Sequence, residues 1–263
     1  MSYIKSGDRS IYYEIHGDTG TPILLLNGIM MTTSSWGHFS IPLSIRNRLI
    51  LMDFFDQGRS DKLSSSYTQW TQVEAVKDLI EKLGLEQLTV AGISYGGEVA
   101  LGLAVKHPEL LDKLVLMNTT SMDTQRLRNT ADIWDKYTIY ADLVYHNMGM
   151  PRYNSNNVMA QWVNLYRDLM VPQMAMPSYY HAMNRLAHST ENFDVHTLLE
   201  RITADTLIIA GGNDYLTPAE NQVYIADNIK NSKIVVLNNC GHNSVFEQPQ
   251  LVCSMILNFV NSA

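Results

Sequence analysis

Residues 88–101 read LTVAGISYGGEVAL, a short apolar run that enters a Gly-x-Ser-x-Gly turn and continues with helical character. A strand that turns sharply into a helix through this motif is a nucleophile elbow, which presents its serine at the tip of a sheet. Gly92 and Gly96 flank Ser94 because the backbone of such a turn approaches itself, and a Cβ at either position would collide with the neighbouring turn. The pattern predicts a strained Ser94 with an exposed hydroxyl. A plain Gly/Ser turn between a strand and a helix is the alternative.

The composition is that of a folded protein, and it excludes several kinds of partner. The chain has 263 residues, of which 46% are hydrophobic and 17% charged, and its formal net charge is -7. The charge is spread along the chain and no run of Lys or Arg stands out, which argues against nucleic acid and anionic membranes as partners. The length suits one large α/β domain with room for an inserted subdomain.

Localisation and cofactor use are inferred from features that the sequence lacks. Met1–Asp8 contains no apolar core of a signal peptide, and the longest apolar runs are only as long as a strand. Cys240 and Cys253 form no spaced pair typical of a metal or redox site. We expect a cytoplasmic protein with reduced thiols, no cofactor and no metal.

Apolar runs of strand length alternate with segments of helical period. An early strand or hairpin at Ser10–His16 is followed by apolar runs at Pro22–Leu26, Arg48–Asp53, Leu88–Ile93, Leu111–Asn118, Thr206–Ala210 and Lys233–Leu237. The helical segments are Gln69–Leu83 with a C-cap at Gly84, Ser94–Lys106, Ala219–Ile229 and Pro249–Val260. Continuous apolar strands are covered on both faces, so this alternation predicts an α/β fold with a mostly parallel, doubly wound sheet.

One long segment interrupts this alternation. From Thr119 to about His196 no strand-like run appears, and the helix-length stretches are separated by glycine and proline. A loop of this length is uncommon in a compact domain, so residues 119–196 are predicted to form a helical cap, inserted into a core domain of residues 1–118 and 197–263. The segment is rich in Met, Tyr and Trp, which suits either packing on the core or an adaptable apolar roof over a pocket. Trp134 and Tyr137 are candidate substrate contacts in it.

A serine nucleophile needs a base within hydrogen-bond reach and an acid that orients the base. After an elbow of this type the chain order is serine, acid, histidine. Asp214 follows the next-to-last predicted strand, and His242 follows the last one. Loops after parallel strands open at the same edge of the sheet as Ser94. The sequence therefore predicts a triad of Ser94, Asp214 and His242. The predicted strand before that of Asp214 ends at Asn118, and no carboxylate follows it closely that could serve as an alternative acid. This favours Asp214 as the acid.

An oxyanion hole needs two backbone N–H groups aimed at the developing negative oxygen. The amide of Tyr95, the residue after the serine, is one candidate, and the amide of Ile29 is the other. Ile29 lies in the loop after the first continuous apolar run, where Gly28 permits close approach of a substrate and the Asn27 amide ties the loop in place. Asn27, Gly28 and Met30 are also candidates for substrate contact.

With these motifs the chain resembles the α/β-hydrolase superfamily nearly from end to end. The likeness is carried by Asn27-Gly28, Asp53–Asp61, Gly92–Gly96, Gly211–Pro218 and Gly241–Pro249. The resemblance implies the α/β-hydrolase fold, with Ser94 as nucleophile, His242 as general base and acid, and Asp214 as the orienting acid. It also implies that residues 119–196 are the cap domain.

The chain departs from the common pattern of that superfamily in two loops. Most relatives have His-Gly where this chain has Asn27-Gly28, and an asparagine there resembles the enol-lactone hydrolase branch. The loop after Asp53 has Asp56-Gln57-Gly58 in place of Arg-Gly-x-Gly. We interpret this as a turn variant, with a place for Asp56 near the mouth of the site as the alternative. Ser94 itself differs from the aspartate nucleophile of the dehalogenase and epoxide hydrolase branches.

The resulting hypothesis is a serine hydrolase that cleaves a hydrophobic small-molecule carboxylic ester or lactone through an acyl-enzyme on Ser94. The scarcity of Lys and Arg near the motifs argues against a polyanionic substrate. A thioesterase or a C–C bond hydrolase uses the same triad, so both alternatives stay open. A non-hydrolytic lyase or cyclase and a ligand-binding member of the fold stay open as well. The sequence assigns no oligomeric state.

Overall fold

The computed structural model describes residues 2–137 and 177–262, which contain an eight-stranded sheet. The strands are β1 (Ser2–Ser6), β2 (Arg9–His16), β3 (Pro22–Leu26), β4 (Arg48–Met52), β5 (Thr89–Ile93), β6 (Lys113–Met117), β7 (Asp205–Gly211) and β8 (Ser232–Leu237). Their order is β1-β2-β4-β3-β5-β6-β7-β8. β2 is antiparallel to both β1 and β4, and the pairs from β4 to β8 are parallel. The predicted mostly parallel sheet and the early strand at Ser10–His16 are confirmed, whereas β1, with which this strand forms a hairpin, was not predicted.

Helices flank the sheet. Within the described ranges they are α1 (Gly37–Ser44), α2 (Gln69–Leu83), α3 (Tyr95–Lys106), α4 (Gln125–Tyr137), α5 (Pro177–His188), α6 (Ala219–Asn228), α7 (Ser244–Glu247) and α8 (Pro249–Val260). Gly84 ends α2 in the left-handed conformation, with φ of 56°, as predicted for its C-cap. The sequence does not predict α1, because it is only eight residues long, contains Pro42 and buries just Phe39 and Leu43.

The sheet buries side chains on both faces, because successive residues of a strand point in opposite directions. Leu24 and Leu26 of β3 belong to the core cluster that includes α2 and α3. Ile23 and Leu25 belong to a second cluster that includes α1 and α8. These four side chains are fully buried. The predicted doubly wound α/β architecture is therefore confirmed.

After β6 the chain leaves the sheet, and it returns at β7. The intervening residues include α4 and α5, which lie inside the predicted insertion. Residues 138–176 of that insertion, and the side chains of Trp134 and Tyr137, fall outside the described residues. None of the described helices combines the length and the apolar character needed to span a membrane.

Two arginines attach the helices of this segment to the core. Arg185 of α5 forms a bidentate ion pair with Asp56, with 3.1 Å from Nε to Oδ2 and 2.7 Å from Nη2 to Oδ1. The Asp56 side chain is 0% exposed and that of Arg185 is 19% exposed. Asp56 Oδ1 also accepts a hydrogen bond from the Leu63 amide at 2.9 Å. Arg126 of α4 donates to the backbone oxygen of Tyr215. The turn at Asp56 is thus a docking point for α5.

Arg185→Met removes the charge that compensates the buried Asp56 carboxylate. We expect the free energy of unfolding to fall by about 3 kcal/mol, because an uncompensated buried charge is costly. Urea unfolding followed by circular dichroism measures this change. Lys77→Met, which breaks an exposed pair with Glu81 four residues away, is the control and should leave the midpoint almost unchanged.

The double variant Asp56→Asn/Arg185→Met tests the cause of that loss. Because the amide of asparagine carries no charge, the double variant should be more stable than Arg185→Met alone. A double variant as unstable as the sum of the two single variants would contradict the ion-pair explanation.

Candidate active site

Ser94 lies at the turn between β5 and α3. Its φ of 53° and ψ of -121° are far from the backbone conformations that residues other than glycine favour. The backbone around it leaves no space for side chains. A Cβ on Gly92 would lie 2.2 Å from the Gly96 carbonyl oxygen, and one on Gly96 would lie 2.4 Å from the Leu26 carbonyl oxygen. The Ser94 amide donates to the Met117 carbonyl of the adjacent strand at 2.9 Å. The predicted strained turn is confirmed, and so is the reason for its two glycines.

Ser94, Asp214 and His242 meet at the carboxyl edge of the sheet through one series of hydrogen bonds. His242 Nε2 lies 2.9 Å from Ser94 Oγ. Its Nδ1 lies 2.9 Å from Oδ2 and 3.1 Å from Oδ1 of Asp214. A proton on Nδ1 faces the carboxylate, which leaves Nε2 as the acceptor for the serine proton. The structure thus brings together the three residues that the sequence predicted.

Asp214 is held as a carboxylate by donors on both of its oxygens. Oδ1 accepts from the amides of Leu216 and Thr217, each at 2.9 Å, and Oδ2 accepts from Thr217 Oγ1 at 2.8 Å. Burial by itself would raise the pKa of Asp214. The hydrogen bond and the electrostatic attraction of His242, with the bonds from Asn118 and Thr217, outweigh burial and lower this pKa below its ordinary value of 3.8. The acid beside the imidazole is therefore ionised.

Asn118 is a residue of the site whose contacts the sequence did not reveal. It follows β6 with φ of 46°. Its Nδ2 donates to Asp214 Oδ2 and to the Gly241 carbonyl, both at 3.0 Å. A left-handed asparagine at a strand end is a local signal, but its partners are 96 and 123 residues further along the chain. One amide thereby joins the loop of the acid to the loop of the histidine.

The two predicted oxyanion donors lie on a tight turn and at a helix start. The Met31 amide donates to the Gly28 carbonyl at 3.2 Å, which closes a turn that contains Ile29 and Met30. Met30 has φ of 67°. Tyr95 is the first residue of α3, and N–H groups in the first turn of a helix have no partner inside it. Both backbone positions are of the kind that an oxyanion hole uses.

Asn27 supports the loop after β3. It is fully buried, and its Nδ2 donates to the Met52 carbonyl at 2.9 Å and to Gln57 Oε1 at 3.2 Å. Its Oδ1 accepts from Trp36 Nε1 at 2.7 Å, and Gln57 Nε2 donates to the Gly28 carbonyl at 2.8 Å. The predicted tie through the Asn27 amide is confirmed. Both ends of that amide are engaged inside the core, and a substrate contact at Asn27 stays a prediction.

Glu98 is a buried carboxyl group one turn into α3. Its side chain accepts from Gln69 Nε2 at 2.7 Å, and its amide donates to the Ser94 carbonyl at 3.1 Å. Burial raises the pKa of Glu98 to about 8, repulsion from Asp123 adds to the shift, and the bond from Gln69 opposes it. Glu98 is therefore mostly uncharged at neutral pH, and it lies one helical turn after Ser94.

The described part of the site offers a serine hydroxyl, an imidazole and a carboxylate in series. This arrangement activates a serine for attack on a carbonyl carbon. Within residues 2–137 and 177–262, no group of three or more His, Cys, Asp or Glu side chains is arranged to hold a metal ion.

The chain is similar to known proteins along most of its length. A sequence model described as alpha/beta hydrolase fold matches residues 21–249. The crystal structure of MGS-M2, an alpha/beta hydrolase enzyme from a Medee basin deep-sea metagenome library, is similar to this chain. The two share 34% sequence identity with a TM-score of 0.92, over 100% of this chain and 98% of that one.

Two further proteins are similar at lower identity. The 2-hydroxy-6-oxononadienedioate/2-hydroxy-6-oxononatrienedioate hydrolase 2 of Pseudomonas putida is 26% identical over 267 residues, which cover 96% of this chain and 92% of that protein. The enol-lactonase of Burkholderia xenovorans has a TM-score of 0.83 at 19% identity, over 99% of this chain and 100% of that one. At 19% identity the latter likeness concerns the fold alone.

Gly96→Ala places a methyl group 2.4 Å from the Leu26 carbonyl oxygen. Since this contact is with backbone, we expect the free energy of unfolding to fall by more than about 2 kcal/mol and the reactivity of Ser94 to be lost. Thermal unfolding and labelling with a fluorophosphonate measure the two effects. Gly37→Ala is the control, because a Cβ there meets nothing within 4 Å. Equal behaviour of the two variants would show that the elbow tolerates a side chain.

Glu98→Gln tests the buried carboxyl group. The folded-state pKa of about 8 lies above the ordinary value of 4.5, so the folded protein retains a proton that the unfolded chain has lost. Wild-type stability should therefore decrease as pH rises between these two values, and Glu98→Gln should lack this decrease.

Urea unfolding at about pH 5 and about pH 9 measures the difference between Glu98→Gln and wild type. We expect the variant to gain relative stability at the higher pH. Glu86→Gln, at an exposed position, is the control and should follow wild type at both values. A difference between Glu98→Gln and wild type that does not change with pH contradicts a proton held by Glu98.

Proposed function

We propose, because this chain belongs to the alpha/beta hydrolase family, that it is a serine hydrolase of carboxylic esters or lactones. The observation that carries the proposal is the series from Asp214 through His242 to Ser94, with 2.9 Å between His242 Nε2 and Ser94 Oγ. A hydroxyl beside an imidazole that is itself oriented by a carboxylate is an activated nucleophile.

In the first half-reaction Ser94 Oγ bonds to the substrate carbonyl carbon while His242 Nε2 takes the serine proton. The ionised Asp214 stabilises the imidazolium that forms. The amides of Tyr95 and Ile29 donate hydrogen bonds to the carbonyl oxygen as it becomes negative. The tetrahedral intermediate then collapses, the C–O bond to the leaving alcohol breaks, and that alcohol receives the proton from His242. The acyl group stays on Ser94.

In the second half-reaction a water molecule replaces the alcohol. His242 Nε2 takes a proton from this water as its oxygen attacks the acyl carbon, and the same two amides hold the second oxyanion. Collapse of this intermediate breaks the bond to Ser94 Oγ, which regains its proton from His242. An ester yields an acid and an alcohol, whereas a lactone yields one hydroxy acid because its leaving oxygen remains attached.

An uncharged substrate with apolar groups suits the core side of the site. Ile29 and Met30, next to Gly28, are partly buried apolar residues that pack against the core, and Gly28 and Met30 are proposed substrate contacts. Arg185, a cation of the inserted segment, is already paired with Asp56 and so is not a free partner for an anion. The net charge of -7 likewise does not attract a polyanion.

The inserted segment supplies the other side of the site in this proposal. We assign residues 119–196 as a cap over the triad, with Trp134 and Tyr137 as substrate contacts within it. The attachment of α4 and α5 to the core through Arg126 and Arg185 supports this assignment.

C–C bond hydrolysis is the second candidate function, because the Pseudomonas putida relative that covers 96% of this chain is a dienedioate hydrolase by name. The same triad serves a reaction in which the carbonyl is a ketone and a carbon atom is the leaving group. A dienedioate carries two carboxylates, and the pairing of Arg185 with Asp56 gives no support for binding them. We therefore rank this reaction second.

Labelling with a fluorophosphonate, followed by peptide mass spectrometry, tests the nucleophile. We expect modification at Ser94 that is lost in Ser94→Ala and strongly slowed in His242→Ala. Turnover should fall by about 10⁴-fold in each, because either residue disables the whole triad. The substrates are p-nitrophenyl esters of rising chain length, simple lactones and a 2-hydroxy-6-oxo-dienoate, so that one panel ranks the two candidate reactions.

Ser121→Ala is a matched control for these variants. Ser121 Oγ lies 2.9 Å from His196 Nδ1, so this serine also has a histidine partner but is not part of the proposed triad. The control should label and turn over as wild type does. If Ser94→Ala retains wild-type turnover, the proposed nucleophile is wrong, and turnover of the dienoate alone would favour C–C hydrolysis over ester hydrolysis.

A further inference from the structure

Glu247 is a carboxylate that binds the backbone on both sides of His242. It is the last residue of α7, the short helix that follows the histidine loop. Its Oε2 accepts from the Gly241 amide at 2.8 Å, and its Oε1 accepts from the Asn243 amide at 3.2 Å. The amides of the two residues that flank His242 are thereby anchored to one side chain.

The Cys240 thiol is a third group directed at this carboxylate. Cys240 is fully buried, and burial raises the pKa of its thiol to about 12, while the negative charges of Glu247 and Asp214 and a hydrogen bond to Glu247 add to the shift. The thiol is therefore protonated at physiological pH. Glu247 accepts hydrogen bonds from the amides of Gly241 and Asn243 and lies near the Cys240 thiol, so it interacts with residues on both sides of His242.

The opposite side of the same loop is also held. The Gly241 carbonyl accepts from Asn118 Nδ2 at 3.0 Å, while its amide is bound by Glu247. A Cβ on Gly241 would lie 3.0 Å from Glu247 Oε1, and a Cβ on Gly211 would lie 2.2 Å from the Gly241 carbonyl oxygen. Gly241, the residue just before His242, thus has both its amide and its carbonyl fixed, and that carbonyl lies too close to Gly211 for a side chain at position 211.

We propose that Glu247 is a positioning residue for His242, which fixes the imidazole within hydrogen-bond reach of Ser94. This inference rests on the proposed function. Bonds from amides to a carboxylate are stronger than those between neutral groups, so the loop gains more from Glu247 than from a neutral side chain. A displacement of about 1 Å between reacting groups costs about 10²-fold in rate, which sets the scale of the expected effect.

Glu247→Ala removes both bonds to the backbone, and Glu247→Gln keeps an oxygen acceptor but turns an NH₂ group toward one of the donors. We expect the rate of fluorophosphonate labelling at Ser94 to fall by about 10- to 100-fold in Glu247→Ala and by less in Glu247→Gln. With the substrate that the panel identifies, kcat should fall in the same order while KM changes by less than about twofold. Circular dichroism checks that each variant is folded, and Glu247→Gln carries the test if the alanine variant is not.

Gln248→Ala is the matched control. Gln248 is the next residue, and its Nε2 donates to the same loop at the Asn239 carbonyl, 3.5 Å away and three residues before His242. It should label at the wild-type rate. Wild-type labelling in folded Glu247→Gln and Glu247→Ala, or a change in KM alone, would overturn the inference.

A proton NMR measurement separates this inference from the proposed function. The Nδ1 proton of His242, shared with Asp214, gives a strongly downfield signal that is assigned by its loss in His242→Ala. We expect this signal to shift or broaden in Glu247→Ala and to be unchanged in Gln248→Ala. If no substrate is turned over, the proposed function fails, but the NMR signal still decides the role of Glu247. An unchanged signal in both Glu247 variants overturns that role.

Discussion

The close approach of backbone at the turn around Ser94 is the constraint on which the rest of the site depends. A serine with φ of 53° is held in a sparsely populated conformation that costs on the order of 1–3 kcal/mol. The surrounding structure maintains it, since β5 is paired on both sides, with β3 and β6, and α3 is buried along almost its whole length. The strain is therefore localised at the residue that presents the hydroxyl.

The same region holds two buried acids that behave in opposite ways. Asp214 has donors on both oxygens and an imidazole beside it, so its charge is stabilised and its pKa is lowered. Glu98 has one amide donor from Gln69 and a repelling carboxylate nearby, so its pKa is raised and it keeps its proton. Both acids are buried, so the number of hydrogen-bond donors decides which of them is charged. The charged Asp214 is suited to stabilise an imidazolium, and the neutral Glu98 is suited to a helix interior.

The features that the sequence predicted are those with short-range causes. Apolar runs located strands β3 to β8, Gly84 located the end of α2, and Gly92 and Gly96 indicated the tight turn, because each depends on neighbouring residues. The loops that bring Asp214 and His242 to Ser94 were predictable because parallel strands end at one edge. The contacts of Asn118 and the pair of Asp56 with Arg185 were not, since their partners are 96 or more residues away in the chain. Helix α1 escaped prediction for a different reason, namely its short length and weak period.

The attachment of the inserted segment by Arg126 and Arg185 has an evolutionary consequence. One anchor holds α4 at the Tyr215 carbonyl and the other holds α5 at Asp56, and residues 138–176 lie between them in the sequence. Substitutions, insertions or deletions confined to residues 138–176 alter none of the four residues that make these attachments. Natural or laboratory selection that acts on that interval therefore leaves the inherited residues of both attachments and of the Ser94, His242 and Asp214 series unchanged.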